Sequence, residues 1–399
     1  MKKIMMVLTI GAAVAMLALP VSASTFSAET QDACTDAAKA ENYKVFRETL
    51  KTDQPKAYEA AKKYLACPAP ATPTESDTKI IEYLQRFTKA YEEVKRKNDL
   101  TDALYNKKDY ETAFKIGREI LAAEPEYVKG LVDLGANGYL VVPLKNEQVT
   151  GEAIQYARKA LQLLESGKTL EDWGPLQNKD VATAYLNYTI GSLTVEKDPS
   201  AALKNLLKAA QFETPLKKAA VTYALIAGAY ETGPYAKQSE EYKRIHLNKD
   251  ETPESKLALA NINQLVDRMI DAYARAVALA GSDTKLAAQK TAWNESLVQW
   301  YKFRNNNSDA GMNEMVAGIL SKPLPPEPTP LTSLPATPAT TPAGTSGGAT
   351  PTNGTGNGAG NGTGNGAAST APATKPAATT TPATANTKPA NDKPNRPRQ

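Results

Sequence analysis

Apolar residues recur along most of this chain at intervals of three and four, with Lys, Arg and Glu filling the positions between them. Ile80, Leu84, Phe87, Tyr91 and Val94 form one such stripe, and Ile262, Val266, Met269, Tyr273 and Val277 form another. This is the spacing of helices with one buried face. Shorter stripes predict a helix over 35–50 from Tyr43, Phe46 and Leu50, and another over 56–66 from Tyr58, Ala61 and Leu65. Asn98-Asp99 is placed to interrupt the long helix before Leu100. Strict alternation, the mark of a half-buried strand, is scarce. The expected fold class is all-α.

The pattern fails at both ends. Met1-Lys2-Lys3 precedes an apolar run, Ile4–Leu19, which Pro20 breaks ahead of Val21-Ser22-Ala23. That is the layout of a secretory signal peptide over 1–23 with cleavage after Ala23, and no second run of membrane-spanning length follows. From Lys322 onward the chain is nearly all Pro, Thr, Ala, Gly and Asn. Such a segment has too little apolar surface to offset the entropy of ordering it, so a disordered tail is expected over 322–399. Its basic end, with Lys393, Arg396 and Arg398, is suited to touch a cell wall or an anionic surface.

Export gives meaning to Cys34 and Cys67, the two cysteines of the chain, because exported proteins can keep disulfides. Thr52-Asp53-Gln54-Pro55 reads as a turn with a helix cap. Folding the two flanking helices antiparallel there brings Cys34 beside Cys67. A disulfide-closed hairpin over 24–72, ending in the Pro-rich joint CPAPATPT, is therefore expected. A metal pair would need further ligands, and a redox pair would sit closer in sequence.

The helical body over 73–321 carries an irregular repeat. In Leu100–Pro125, Leu100-Thr101, Leu104, Tyr110, Ala113, Ile120-Leu121 and Pro125 stand at the marked positions of a two-helix unit broken at Asn106–Asp109. Leu131-x2-Leu134-Gly135, Ala153-x3-Ala157-x2-Ala160 and Tyr223-x2-Ile226-Ala227-x2-Tyr230 repeat parts of it. The pattern resembles the tetratricopeptide repeat, a unit of about 34 residues. It departs from that family at Gly117, where a large aromatic is usual, and at Ile120, where alanine is usual. The resemblance implies antiparallel hairpins stacked as an α-solenoid with a concave binding surface. An irregular helical bundle without true repeats fits the same composition.

Charge and chemistry narrow the function. Of the net charge of +4, the leader and the tail hold more than all, which leaves the body about −2 with both signs interspersed. A nucleic-acid face would cluster its basic residues, so nucleic acid is set aside. His246 is the only histidine and lies in a charged run typical of a solvated face. No nucleophile elbow, phosphate loop or dinucleotide fingerprint occurs. No catalytic residue, metal ligand or cofactor is expected. Tyrosine outnumbers phenylalanine 18 to 6, and Tyr185, Tyr188, Tyr223 and Tyr230 are candidates for a partner groove, with core packing as the plainer use of each. The expectation is an exported scaffold or adaptor, periplasmic or secreted, for a protein or peptide partner, and not an enzyme. An all-α envelope enzyme and a structural surface protein that works through its tail are the alternatives.

Overall fold

Local capping explains where the helices begin. The structure, a computed structural model, describes residues 34–334; residues 1–33, with the expected signal peptide, and 335–399, most of the expected tail, lie outside the described residues. Helix α1 (Asp36–Thr49) starts at Thr35, whose hydroxyl accepts from the Ala38 amide. α2 (Gln54–Leu65) starts at Asp53 with Pro55 in its first turn. Pro there loses no hydrogen bond, because the first amides of a helix have no partner within it. Every described element is helical.

The chain divides into two compact units, 1–95 and 96–399. In the first, α1 and α2 pack as a hairpin and Cys34 is bonded to Cys67, with their Cα atoms 5.3 Å apart. Phe46, Ala57, Ala61 and Leu84 form its core, each fully buried. The ring of Phe87 meets Phe46 edge-on at 5.0 Å, and Tyr58 stacks on Tyr91 at 4.5 Å while its hydroxyl donates to Glu92 at 2.7 Å. That bond to a carboxylate pushes the Tyr58 hydroxyl up to about 12.

The division falls inside α3 (Glu75–Thr101), not at the Pro-rich joint. The expected interruption at Asn98-Asp99 does not occur. α3 runs on to Thr101 and continues as a π-helical turn, Asp102–Lys107, because Leu100, Ala103 and Leu104 are all buried and hold this stretch helical. Lys108, in the left-handed region at φ 54°, ends it, and Asp109 caps α4 (Tyr110–Ala123). The stretch expected as two short helices is thus the end of a long helix followed by a second one.

In the second unit the helices follow as α5 (Val128–Ala136), α6 (Glu147–Glu165), α7 (Lys179–Thr194), α8 (Pro199–Gln211), α9 (Ala220–Tyr230), α10 (Ala236–His246), α11 (Pro253–Ala280), α12 (Ala287–Arg304) and α13 (Met312–Gly318). From α4 to α9 each packs on its neighbour in sequence. Small residues permit this. Ala153, Ala157 and Ala160 are fully buried, and a Cβ on Gly135 would lie 2.7 Å from the Ala157 Cα, so α5 and α6 touch backbone to backbone there. No hairpin turn separates α9 from α10. A π-helical turn, Glu231–Tyr235, carries one into the other, and Pro234 inside it has no amide to donate. α9 packs instead on α8 and α11, and α11 also packs on α12.

Candidate functional site

The four tyrosines expected in a groove belong mainly to the core. Tyr188, Tyr223 and Tyr230 are 7%, 3% and 1% exposed, and only Tyr185 is half-buried. Tyr139 meets both Tyr185 and Tyr188, at 5.9 and 5.2 Å between ring centres. α9 shows why: seven of its eleven residues are buried, Tyr223 and Tyr230 among them. Val221, Ala224, Leu225 and Gly228 make up its less buried face, so the two tyrosines lie on the core side of the helix. Tyr223 donates to the Lys217 carbonyl at 2.9 Å. The Tyr230 hydroxyl is buried and has no hydrogen-bond partner among the described residues. Burial pushes its pKa up, with Glu327 next in raising it and Arg268 opposing.

Those two charges belong to an arrangement that the composition concealed. The start of the supposed disordered tail is not loose. Residues 322–334 are described, and 322–331 lie along α11, gripped by its side chains. Arg275, 4% exposed, donates from Nη2 to the carbonyls of Lys322 and Pro323 at 3.0 and 2.8 Å. Arg268 donates from Nε to the Pro326 carbonyl at 2.7 Å. Asn261 accepts from the Leu331 amide at 2.7 Å and donates to its carbonyl at 3.2 Å. These three side chains are seven residues apart, so they rise on one face of α11 in steps of about 10.5 Å. The tail segment therefore runs antiparallel to the helix.

Arg275 is held from behind. Asp271 pairs with Arg275 at 2.7 Å, and the Tyr223 ring lies 5.8 Å from the guanidinium carbon. Pairing and stacking let a guanidinium stay charged in a buried site. The segment is prepared as well. Every residue from Lys322 to Pro330 is a proline or precedes one. Proline fixes its own φ and drives the residue before it into the extended region, and Lys322 is extended at φ −92°, ψ 144°. Ordering such a chain costs little, because its freedom is already restricted when unfolded. This is why low hydrophobicity did not leave it free.

A second polar cluster lies at the other end of this unit. The Asp133 carboxylate is 2% exposed, accepts from Tyr105 at 2.9 Å and pairs with Lys129 at 2.5 Å. Asn137 donates to Tyr105 at 3.2 Å. Burial pushes the Asp133 carboxyl up in spite of Lys129. A recess of about 530 Å³ lies beside it, lined by Pro125, Tyr127, Val128, Lys129 and Leu170. Asp133 does not line it, and both its oxygens are taken, so the cluster reads as a tie that holds α5 to the π-helical turn before α4.

His246 ends α10 and is half-buried, 5.3 Å from the Tyr242 ring. Among the described residues no group of three or more His, Cys, Asp and Glu could hold a metal ion, and no helix is long and apolar enough to cross a membrane. No family model, curated protein or solved structure matches the chain.

The ladder residues escaped notice in the sequence because each is an ordinary polar residue on a helix. Two signals bear on them: polar residues at sevenfold spacing on a helix otherwise rich in buried positions, and the unbroken proline register of 322–330.

Proposed function

We propose that this protein is an exported helical scaffold of the bacterial envelope that holds extended segments of other proteins. The observation that carries the reading is the ladder of Asn261, Arg268 and Arg275 on the carbonyls of an extended chain. Backbone recognition of this kind provides affinity for a strand-like ligand without demanding a particular side chain. The side-by-side packing of α4 to α9 agrees with a tetratricopeptide-like solenoid, and such arrays offer long surfaces to partners. The Cys34–Cys67 bond agrees with an oxidising compartment and with the leader sequence.

The test is site-specific photocrosslinking in the producing cell. A photoreactive residue replaces Gln264, which lies beside Asn261 at 3.4 Å. A discrete adduct with another protein is expected, reduced by Arg268→Ala. Adducts confined to the chain's own tail, or hydrolysis of envelope glycan or peptide by the purified protein, would overturn the reading. Amino-terminal sequencing of the exported form tests cleavage after Ala23.

A further inference from the structure

Polyproline-type segments offer a receptor mainly carbonyls, since proline has no amide hydrogen. Arg268 and Arg275 supply donors alone, and Asn261 meets both the amide and the carbonyl of Leu331, the first residue after the proline register. The two sides thus match in chemistry. They also match in period. Pro325, Pro328 and Leu331 are half-buried while Pro326, Glu327, Thr329 and Pro330 are exposed, which is the three-residue repeat of a polyproline II helix laid on a surface. Leu324 packs against the hydrophobic core of this unit.

The match has one flaw. Tyr230 belongs to the buried cluster against which Leu324 of the segment packs, and it keeps a buried hydroxyl with no hydrogen-bond partner among the described residues. An unpaired buried donor is costly. A second copy of the same segment, exchanged between molecules, would leave that donor unpaired in the same way. A different ligand need not.

We propose that the α11 ladder is a binding site for a proline-rich, extended segment of a partner protein bearing a hydrogen-bond acceptor opposite Tyr230, and that Lys322–Leu331 is its resident competitor. The proposal rests on the scaffold reading and narrows it to one ligand chemistry and one means of control. The resident is tethered, so its effective concentration reaches roughly the millimolar range. A free peptide must displace it, and a ligand that satisfies Tyr230 gains an advantage of about tenfold.

The experiment uses the full chain and a labelled peptide of sequence 322–334, followed by fluorescence anisotropy. Leu324→Ser with Leu331→Ser loosens the resident. Pro323→Gly with Pro326→Gly is the second variant, since both prolines are exposed and their loss disturbs no packed side chain. Each loosened chain is expected to bind the peptide at least tenfold more tightly than the wild type. Adding Asn261→Ala and Arg268→Ala should reverse that gain, and a peptide with its prolines replaced by alanine should bind about tenfold more weakly. In the loosened chain, Tyr230→Phe should leave the affinity for this peptide unchanged or raise it. It should lower the affinity for peptides with Asp or Asn substituted at positions 326–328 that outcompete the resident sequence. Equal binding by wild-type and loosened chains, binding that ignores the ladder, or absence of any substituted peptide that outcompetes the resident sequence would overturn the proposal. Crosslinks from position 264 to a partner that carries no proline-rich segment would sink this inference and leave the scaffold reading standing. Absence of a crosslink from position 264 to any other protein would sink both.

Discussion

Arg268→Ala should release the far end of the docked segment, at a residue that Arg268 does not touch. Its Nε–H donates to the Pro326 carbonyl at 2.7 Å, and Leu331, five residues on, holds its amide against Asn261 at 2.7 Å. A hydrogen bond from a charged donor contributes about 1.5–3 kcal/mol when buried. Arg268 is half-buried, so screening reduces this to about 1–2 kcal/mol. At 1.4 kcal/mol per factor of ten, undocking becomes about 5- to 30-fold more frequent. The assay is native-state amide exchange, read at Leu331 and, as a reference, at buried positions of α11 such as Val266 and Met269. The Leu331 amide should exchange faster by that factor while the reference amides hold. An unchanged Leu331 rate would show that the segment is not one cooperative unit. Equal acceleration at Val266 and Met269 would show that Arg268 supports the whole helix array and not the docked segment.

Four further outcomes are expected. Replacing Cys34 and Cys67 by serine opens a loop with a sequence separation of 33, and the chain-entropy model places the loss at about 3.7 kcal/mol for the first unit, measurable by denaturant titration. Gly135→Ala sets a methyl group 2.7 Å from the Ala157 backbone and should cost about 1–3 kcal/mol in the same assay. Tyr230→Phe removes an unpaired buried donor and should raise stability by about 1 kcal/mol, seen as a higher thermal midpoint. Asp133 has its folded pKa raised, chiefly by burial, so its contribution is fully present below the unfolded value near 3.9 and is lost as pH rises through the folded value. Subtracting the stability of the wild type from that of Asp133→Asn at each pH should therefore give a difference that climbs as pH rises above about 4, and a flat difference curve would contradict this assignment.

Where the sequence was legible, local rules and tertiary packing agreed. Asp198 and Pro199 mark the start of α8 as a cap and a first-turn proline should, and the alternation of helix, turn and helix placed Cys34 beside Cys67. Where they disagreed, packing prevailed. Asn98-Asp99 favours a break, yet buried Leu100 and Leu104 keep α3 going past it. Tyr223 and Tyr230 share a face of α9, but both faces of that helix carry apolar residues. Spacing alone does not tell that their face is the buried one and that Val221 and Leu225 lie on the other. The first residues of the tail, 322–331, depart from expectation for a different reason. Composition measures how much a segment can bury, whereas 322–330 stays docked because proline had already removed most of what docking would take away. The ladder itself left almost no trace, since its three residues gain meaning only when another part of the chain is laid across them.

The bond between Cys34 and Cys67 has a mechanical consequence. If this protein is pulled along its backbone, tension passes through the sulfur bridge and bypasses residues 35–66. Roughly 110 Å of extended chain is thereby withheld at about 3.3–3.6 Å per residue. The hairpin then stays folded as a bead on a loaded line, and only reduction of the bridge would release that length.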